Sequence, residues 1–165
     1  MNMQISPFYY LAAVIIGIVL LVITKKWYIA ILISYMFLVL AATVLARTPT
    51  ETAKYNLTLF WSYGEAFKSQ QGQVFGNIIM FIPIGMMLGF FKKIRIILYG
   101  FFFSVFIEVL QLISHRGMFE FDDIVHNMVG LVLGVAVSYV IFMCLKNISL
   151  FRMIFIKRGA LYVRP

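Results

Sequence analysis

No charged residue interrupts the stretch from Phe8 to Thr24, and four further apolar runs follow it along the chain. Apolar runs of about 20 residues match the roughly 30 Å hydrocarbon core of a bilayer when wound as helices. The spacing predicts helical spans over Phe8–Thr24, Trp27–Ala46, a shorter Gly76–Phe91, Ile96–Ser114 and Ile124–Leu145. A soluble domain could not bury this much apolar surface: 63% of the 165 residues are hydrophobic and 12% are charged. The expectation is an all-α membrane protein, a five-helix transmembrane bundle. The first run is read as a retained helix, because its basic residues Lys25 and Lys26 follow it and no small-residue cleavage site comes next. The single cysteine, Cys144, excludes an internal disulfide framework and a cysteine-based zinc site.

Charge sets the expected orientation. The net charge of +8 would point to nucleic acid in a soluble protein; here it reads as positive-inside bias, and no nucleic acid partner is expected. Ten of the fourteen basic residues (Lys25, Lys26, Lys92, Lys93, Arg95, Lys146, Arg152, Lys157, Arg158, Arg164) fall on one side. That side is expected to be cytoplasmic, with the N-terminus outside and the C-terminus cytoplasmic. Residues 1–46 then hold two helices, 47–145 an outer loop and three helices, and 146–165 a basic cytoplasmic tail. Within that tail Ile148–Ile156 is expected on the membrane surface. Glu51, Glu65, Glu120, Asp122 and Asp123 belong to the outer loops or their edge. Glu108 lies about 9 Å inside the fourth span, counted at 1.5 Å per residue.

A charged group near a bilayer centre costs about 2.5–3.5 kcal/mol or more, so Glu108 marks a candidate site. Glu108, Gln111 and His115 share one helical face. Across a loop of about nine residues, short enough to make the flanking helices neighbours, Asp123 and Asn127 share a second face. Asp122 and His126 run parallel to them. Asn77 enters the same layer from the third span. Asp122 is expected to cap its helix, and His115 and His126 read as interface residues more readily than as ligands. Arg116 could close the loop onto Asp122 or Asp123, or hold a phosphate or carboxylate with its planar fork. Gly85 with Gly89, and Gly130 with Gly134, permit close helix approach within the bundle or between copies. Pro83 should kink the third span. Leu57–Lys68 is expected to form an interfacial helix or re-entrant lid over the polar layer, with Tyr55, Phe60, Trp61, Tyr63 and Phe67 in the headgroup zone. Asn56-Leu57-Thr58 matches a glycosylation sequon. No metal site is expected, since neither H-E-x-x-H nor a comparable spacing occurs, and no cofactor is indicated.

NIIMFIPIGMMLG (Asn77 to Gly89) resembles the N-x-x-x-F-x-P-x-G signature of the VanZ-like family. EVLQLISHRGMFEFDDIVHNMVGLVLG (Glu108 to Gly134) resembles its E-x-x-Q … D-x-x-x-N-x-x-G-x-x-x-G signature. RTP followed by NLTLF (Arg47 to Phe60) is similar to its outer-loop R … N-L-x-P-F, with Leu59 where proline is usual. The resemblance covers about Arg47 to Leu145, and the first span looks like an addition to a four-helix core. It implies a bacterial inner-membrane protein, from a family whose namesake is linked to teicoplanin resistance. Matched by position, it points to Arg47, Asn77, Pro83, Glu108, Gln111, Asp123 and Asn127.

The expected function is an extracytoplasmic-facing polar pocket that binds an envelope lipid, a lipid-linked cell-wall precursor or a glycopeptide. Arg47 and Arg116 would contact anionic headgroups, while Asn77, Glu108, Gln111, Asp123 and Asn127 shape the pocket. Two alternatives stand beside it. One is a hydrolase or transferase acting on a lipid phosphate, with Glu108 and Asp123 as an acid–base pair or as metal ligands. The other is a small transporter or structural subunit.

Overall fold

A computed structural model of the chain describes residues 6–63, 67–89, 95–146 and 148. Helix α1 spans Pro7–Thr24 and α2 spans Trp27–Leu40, continued by a π-helical turn over Ala41–Leu45. After strand β1 (Lys54–Asn56) and a 3-10 turn (Trp61–Tyr63) come α3 (Phe67–Gly89) and α4 (Arg95–Ile113). Strand β2 (Met118–Glu120) then leads directly into α5 (Phe121–Leu145). Local chemistry explains several boundaries. Ser6 caps α1 with Pro7 at its first position, where a missing N–H costs nothing. Lys25 ends α1 in the left-handed conformation.

Of the five helices among the described residues, four are long and apolar enough to cross a membrane: Pro7–Thr24, Trp27–Leu45, Gln71–Gly89 and Phe121–Leu145. In α4 the apolar part, Ile97–Ile113, is shorter. The segment expected on the membrane surface, Ile148–Ile156, lies outside the described residues except for Ile148, as do Lys92 and Lys93.

The centre of the bundle is the pair α3 and α5, whose glycines lock together. A methyl group at Gly130 would collide with the Ile78 carbonyl, and one at Gly134 with the Ile82 carbonyl. Reciprocally, Gly85 faces the Leu131 carbonyl and Gly89 the Ser138 hydroxyl. Both small-residue steps therefore serve one intramolecular interface, with backbone against backbone. Phe81, Ile84, Ile107 and Leu131 fill the core around it, joined by Val39 and Val44 from the α2 side. Helix α3 continues through Pro83. In the turn Pro83 interrupts, the Tyr35 hydroxyl donates to the Met80 carbonyl at 3.1 Å.

Three features differ from the sequence expectation. Helix α3 begins at Phe67 rather than Gly76, because apolarity marks where lipid starts and not where helical hydrogen bonding starts. Among the described residues Leu57–Lys68 accordingly forms no interfacial helix: residues 57–60 are irregular, 61–63 make a single 3-10 turn, 67–68 already belong to α3, and 64–66 lie outside the described residues. The fold is also not purely helical. Strands β1 and β2 pair in parallel, with Lys54 opposite Met118 and Asn56 opposite Glu120. This small sheet ties together the two loops at one end of the bundle.

Candidate functional site

At that end, the close of α2 widens into the π-helical turn. Such a turn loosens the regular backbone ladder and leaves carbonyls for other donors. The Thr43 carbonyl accepts from Gln111 Nε2 at 3.1 Å. The Leu45 carbonyl accepts from Arg116 Nη1 at 2.8 Å, and the Arg47 carbonyl from the same nitrogen at 2.7 Å. Arg116 thus closes onto the end of α2, and pairs with neither Asp122 nor Asp123. The turn delivers Arg47 towards α4: its Nη1 lies beside Gly117, where Gln111 also packs. Arg47 is within electrostatic range of Glu108.

Helix α4 supplies Glu108, Gln111 and Ser104, all at most 2% exposed. Glu108 Oε2 accepts the backbone N–H of Glu120 at 3.0 Å, so the buried carboxylate holds the last residue of β2. His115 does not stay on this face. Helix α4 ends at Ile113, and His115 turns the chain with φ 56°, its carbonyl accepting from Thr50 N at 2.7 Å.

Helix α5 opens with Asp122 and Asp123. Asp122 is no helix cap: it reaches out of its helix to accept from the Phe60 N–H, the Ser62 N–H at 3.1 Å and the Ser62 hydroxyl at 2.6 Å. It anchors a loop in which Phe60 has φ 63°, a conformation costly without glycine. Leu59, where the family pattern has proline, precedes Phe60 here. The Asn56 side chain turns the same loop by accepting from Thr58 N. Asp123 accepts from Gln73 Nε2 at 2.9 Å, and that nitrogen also donates to Glu120 at 3.2 Å. Trp61 Nε1 donates to the other Glu120 oxygen at 3.1 Å. His126 lies 2.8 Å from the Tyr63 hydroxyl through Nε2 and 3.9 Å from Asp123 through Nδ1. Asn127 donates to Ser104 Oγ at 2.9 Å. Asn77 lies on α3 between Gln73, bonded to Asp123, and Ile78, packed on Gly130, which places it level with Asn127.

The structure therefore brings Arg47, Asn77, Glu108, Gln111, Asp123 and Asn127 into one buried layer, with Arg116 at its edge. Gln73, Glu120, Ser62, Ser104 and Thr43 complete that layer, and sequence reasoning did not single them out. Glu120 carried a signal in retrospect, as an acid directly before a helix start. Among the described residues, no group of three or more His, Cys, Asp or Glu side chains is arranged to hold a metal ion.

Burial pushes the Glu120 carboxyl above the ordinary carboxylate range, and the neighbouring Asp123 charge adds to the effect; the bonds from Gln73 and Trp61 offset part of it. A raised acid favours the protonated folded state. Its contribution is therefore full below the ordinary value and is lost as pH rises through the raised one. Glu120→Gln should accordingly raise the apparent melting temperature at neutral pH and converge with the parent near pH 4. A constant difference across a pH-resolved melting series would contradict this.

Comparison with known proteins finds no matching curated protein and no matching solved structure. A family comparison does match: VanZ/LLP1 aligns with residues 25–143, from just after α1 to near the end of α5, and includes every residue of the buried layer. With its apolar helices and this coverage, the chain belongs to the VanZ/LLP1 family of membrane proteins.

Proposed function

We propose that the buried polar layer binds the headgroup of an envelope lipid, a lipid-linked cell-wall precursor or a glycopeptide. One observation carries the reading. Six buried side-chain polar atoms among the described residues have no hydrogen-bond partner; four of them lie in this layer, Arg47 Nε, Asn77 Nδ2, Gln111 Oε1 and Asn127 Oδ1, and a fifth, His126 Nδ1, lies beside it 3.9 Å from Asp123. A buried polar atom left unpaired costs about 1–3 kcal/mol, so such a cluster favours a ligand that satisfies it. Family membership and the asymmetry of basic residues support placing the layer on the extracytoplasmic side of a bacterial cytoplasmic membrane. The role would be envelope homeostasis or teicoplanin-type glycopeptide resistance.

Asn77→Leu tests the reading, because Asn77 makes no side-chain hydrogen bond that the change would remove. In stripped, detergent-purified protein the variant should be at least as stable as the parent. On adding a polar lipid extract of the expression host, the parent should gain several degrees of melting temperature and the variant much less. Equal gains in both would sink the proposal.

A second reading, transfer or hydrolysis at a lipid phosphate, is favoured by the series Asp123, His126 and Tyr63. The Tyr63 side of this series is exposed while His126 is buried. Turnover of a labelled lipid phosphate that is lost in His126→Gln would favour it over simple binding.

A further inference from the structure

Beside the buried layer, the start of α1 and the end of α2 enclose a cleft of about 390 Å³. Ser6, Tyr9, Arg47, Thr48 and Arg116 contribute its polar wall, and no acidic residue among the described ones lines it. Three sources of positive potential meet there. The first is Arg116, oriented at the rim by its bonds to the Leu45 and Arg47 carbonyls. The second is Arg47, whose Nε is buried without a partner. The third is the N-terminal end of α1, where aligned peptide dipoles favour an anion.

The same two helices wall an apolar groove of about 510 Å³ further along their length, lined among others by Ala13, Gly17, Ile31 and Leu38. An anion-attracting cleft and an acyl-sized apolar groove on one helix pair match an amphiphile better than a soluble anion. Helix α1 builds one wall of both and is docked by the Tyr9 hydroxyl on the Leu45 carbonyl at 3.2 Å. It lies outside the residues that match the family.

We propose that the cleft between the start of α1 and the end of α2 binds the phosphate of an anionic membrane lipid, and that α1 supplies the selecting wall. The inference rests on the reading of the chain as a binder of envelope amphiphiles, and adds the headgroup class. Arg47 joins the two regions, because its Nη1 lies against Gly117, where Gln111 also packs, and the same residue lines the cleft.

The test uses the full chain in vesicles of equimolar phosphatidylcholine and phosphatidylglycerol. The protein is extracted in mild detergent, and retained lipid is measured by native mass spectrometry. The parent should retain phosphatidylglycerol about tenfold over phosphatidylcholine: both carry the phosphate, but the choline cation of the second cancels its net charge and is repelled by Arg47 and Arg116. Thr48→Glu places a competing carboxylate at an exposed position in the cleft and should abolish the preference while the protein still elutes as a folded species. Arg47→Gln should do the same. Excess inorganic phosphate should leave the preference in place; displacement by phosphate alone would mark a site for free anions and overturn the proposal. A preference that persists in Thr48→Glu would also overturn it. Lipid retained by the parent without regard to charge would overturn this site and leave the amphiphile reading standing. A parent that retains neither lipid would count against both.

Discussion

Gly134→Val should leave no folded protein in detergent. A Cβ at Gly134 would sit 2.7 Å from the Met86 nitrogen and 2.9 Å from the Gly85 Cα, besides colliding with the Ile82 carbonyl. These are backbone atoms of a helix packed along its length, so no side chain can swing aside. Overpacking costs about 1–3 kcal/mol where rotamers can yield, and here the cost should exceed that range. The control lies on α3 itself. A Cβ at Gly72 or Gly76 would meet nothing within 4 Å, and alanine there should stabilise the helix by up to about 1 kcal/mol. Size-exclusion profiles after graded heating separate the outcomes. A Gly134→Val profile like the parent's would mean that α3 and α5 do not approach as closely as described.

The second large effect concerns Asp122. Asp122→Ala removes the acceptor for the Phe60 and Ser62 N–H groups and the Ser62 hydroxyl together. Ser62 is 4% exposed, so its orphaned donors cannot turn to water. Bonds to a charged acceptor are worth about 1.5–3 kcal/mol each, which puts the loss of all three at about 4.5 kcal/mol or more. For a chain of this size that lowers the melting temperature by about 10 °C. Ser62→Ala removes only the hydroxyl bond and should cost clearly less. Released from Asp122, Phe60 has little reason to keep φ 63°, and the loop over His126 and Glu120 should open. Faster tryptic cleavage after Lys54 would report that opening. Unchanged cleavage and melting in Asp122→Ala would remove Asp122 as the loop's anchor.

The helices were legible because lipid imposes a length and a composition on them. Lys25 and Lys26 separate α1 from α2 where the chain's own charges require it, and Asp122 and Asp123 mark the start of α5. The buried layer was legible for the same reason: Glu108, Gln111 and Asn127 are costly in lipid unless partnered. The partners themselves were not. Asp122 finds Ser62 across 60 residues and Gln111 finds the Thr43 carbonyl across 68. No local periodicity encodes such pairings. The strands Lys54–Asn56 and Met118–Glu120 are each too short to show an alternating pattern, and exist because the two loops meet. The π-helical turn over Ala41–Leu45 lies within an apolar run with no proline or glycine to mark it. His115 was misplaced because heptad counting assumed that α4 runs two residues further than it does.

The central claim is that the unpaired polar atoms of the buried layer are completed by an amphiphile's headgroup. Native mass spectrometry of the full chain, released directly from host membrane vesicles, addresses it most directly. The parent should carry one tightly held amphiphile per chain at collision energies that strip ordinary annular lipid. Asn77→Leu should carry much less of it. A parent released bare under those conditions, or a variant that holds the same amphiphile equally well, would contradict the claim.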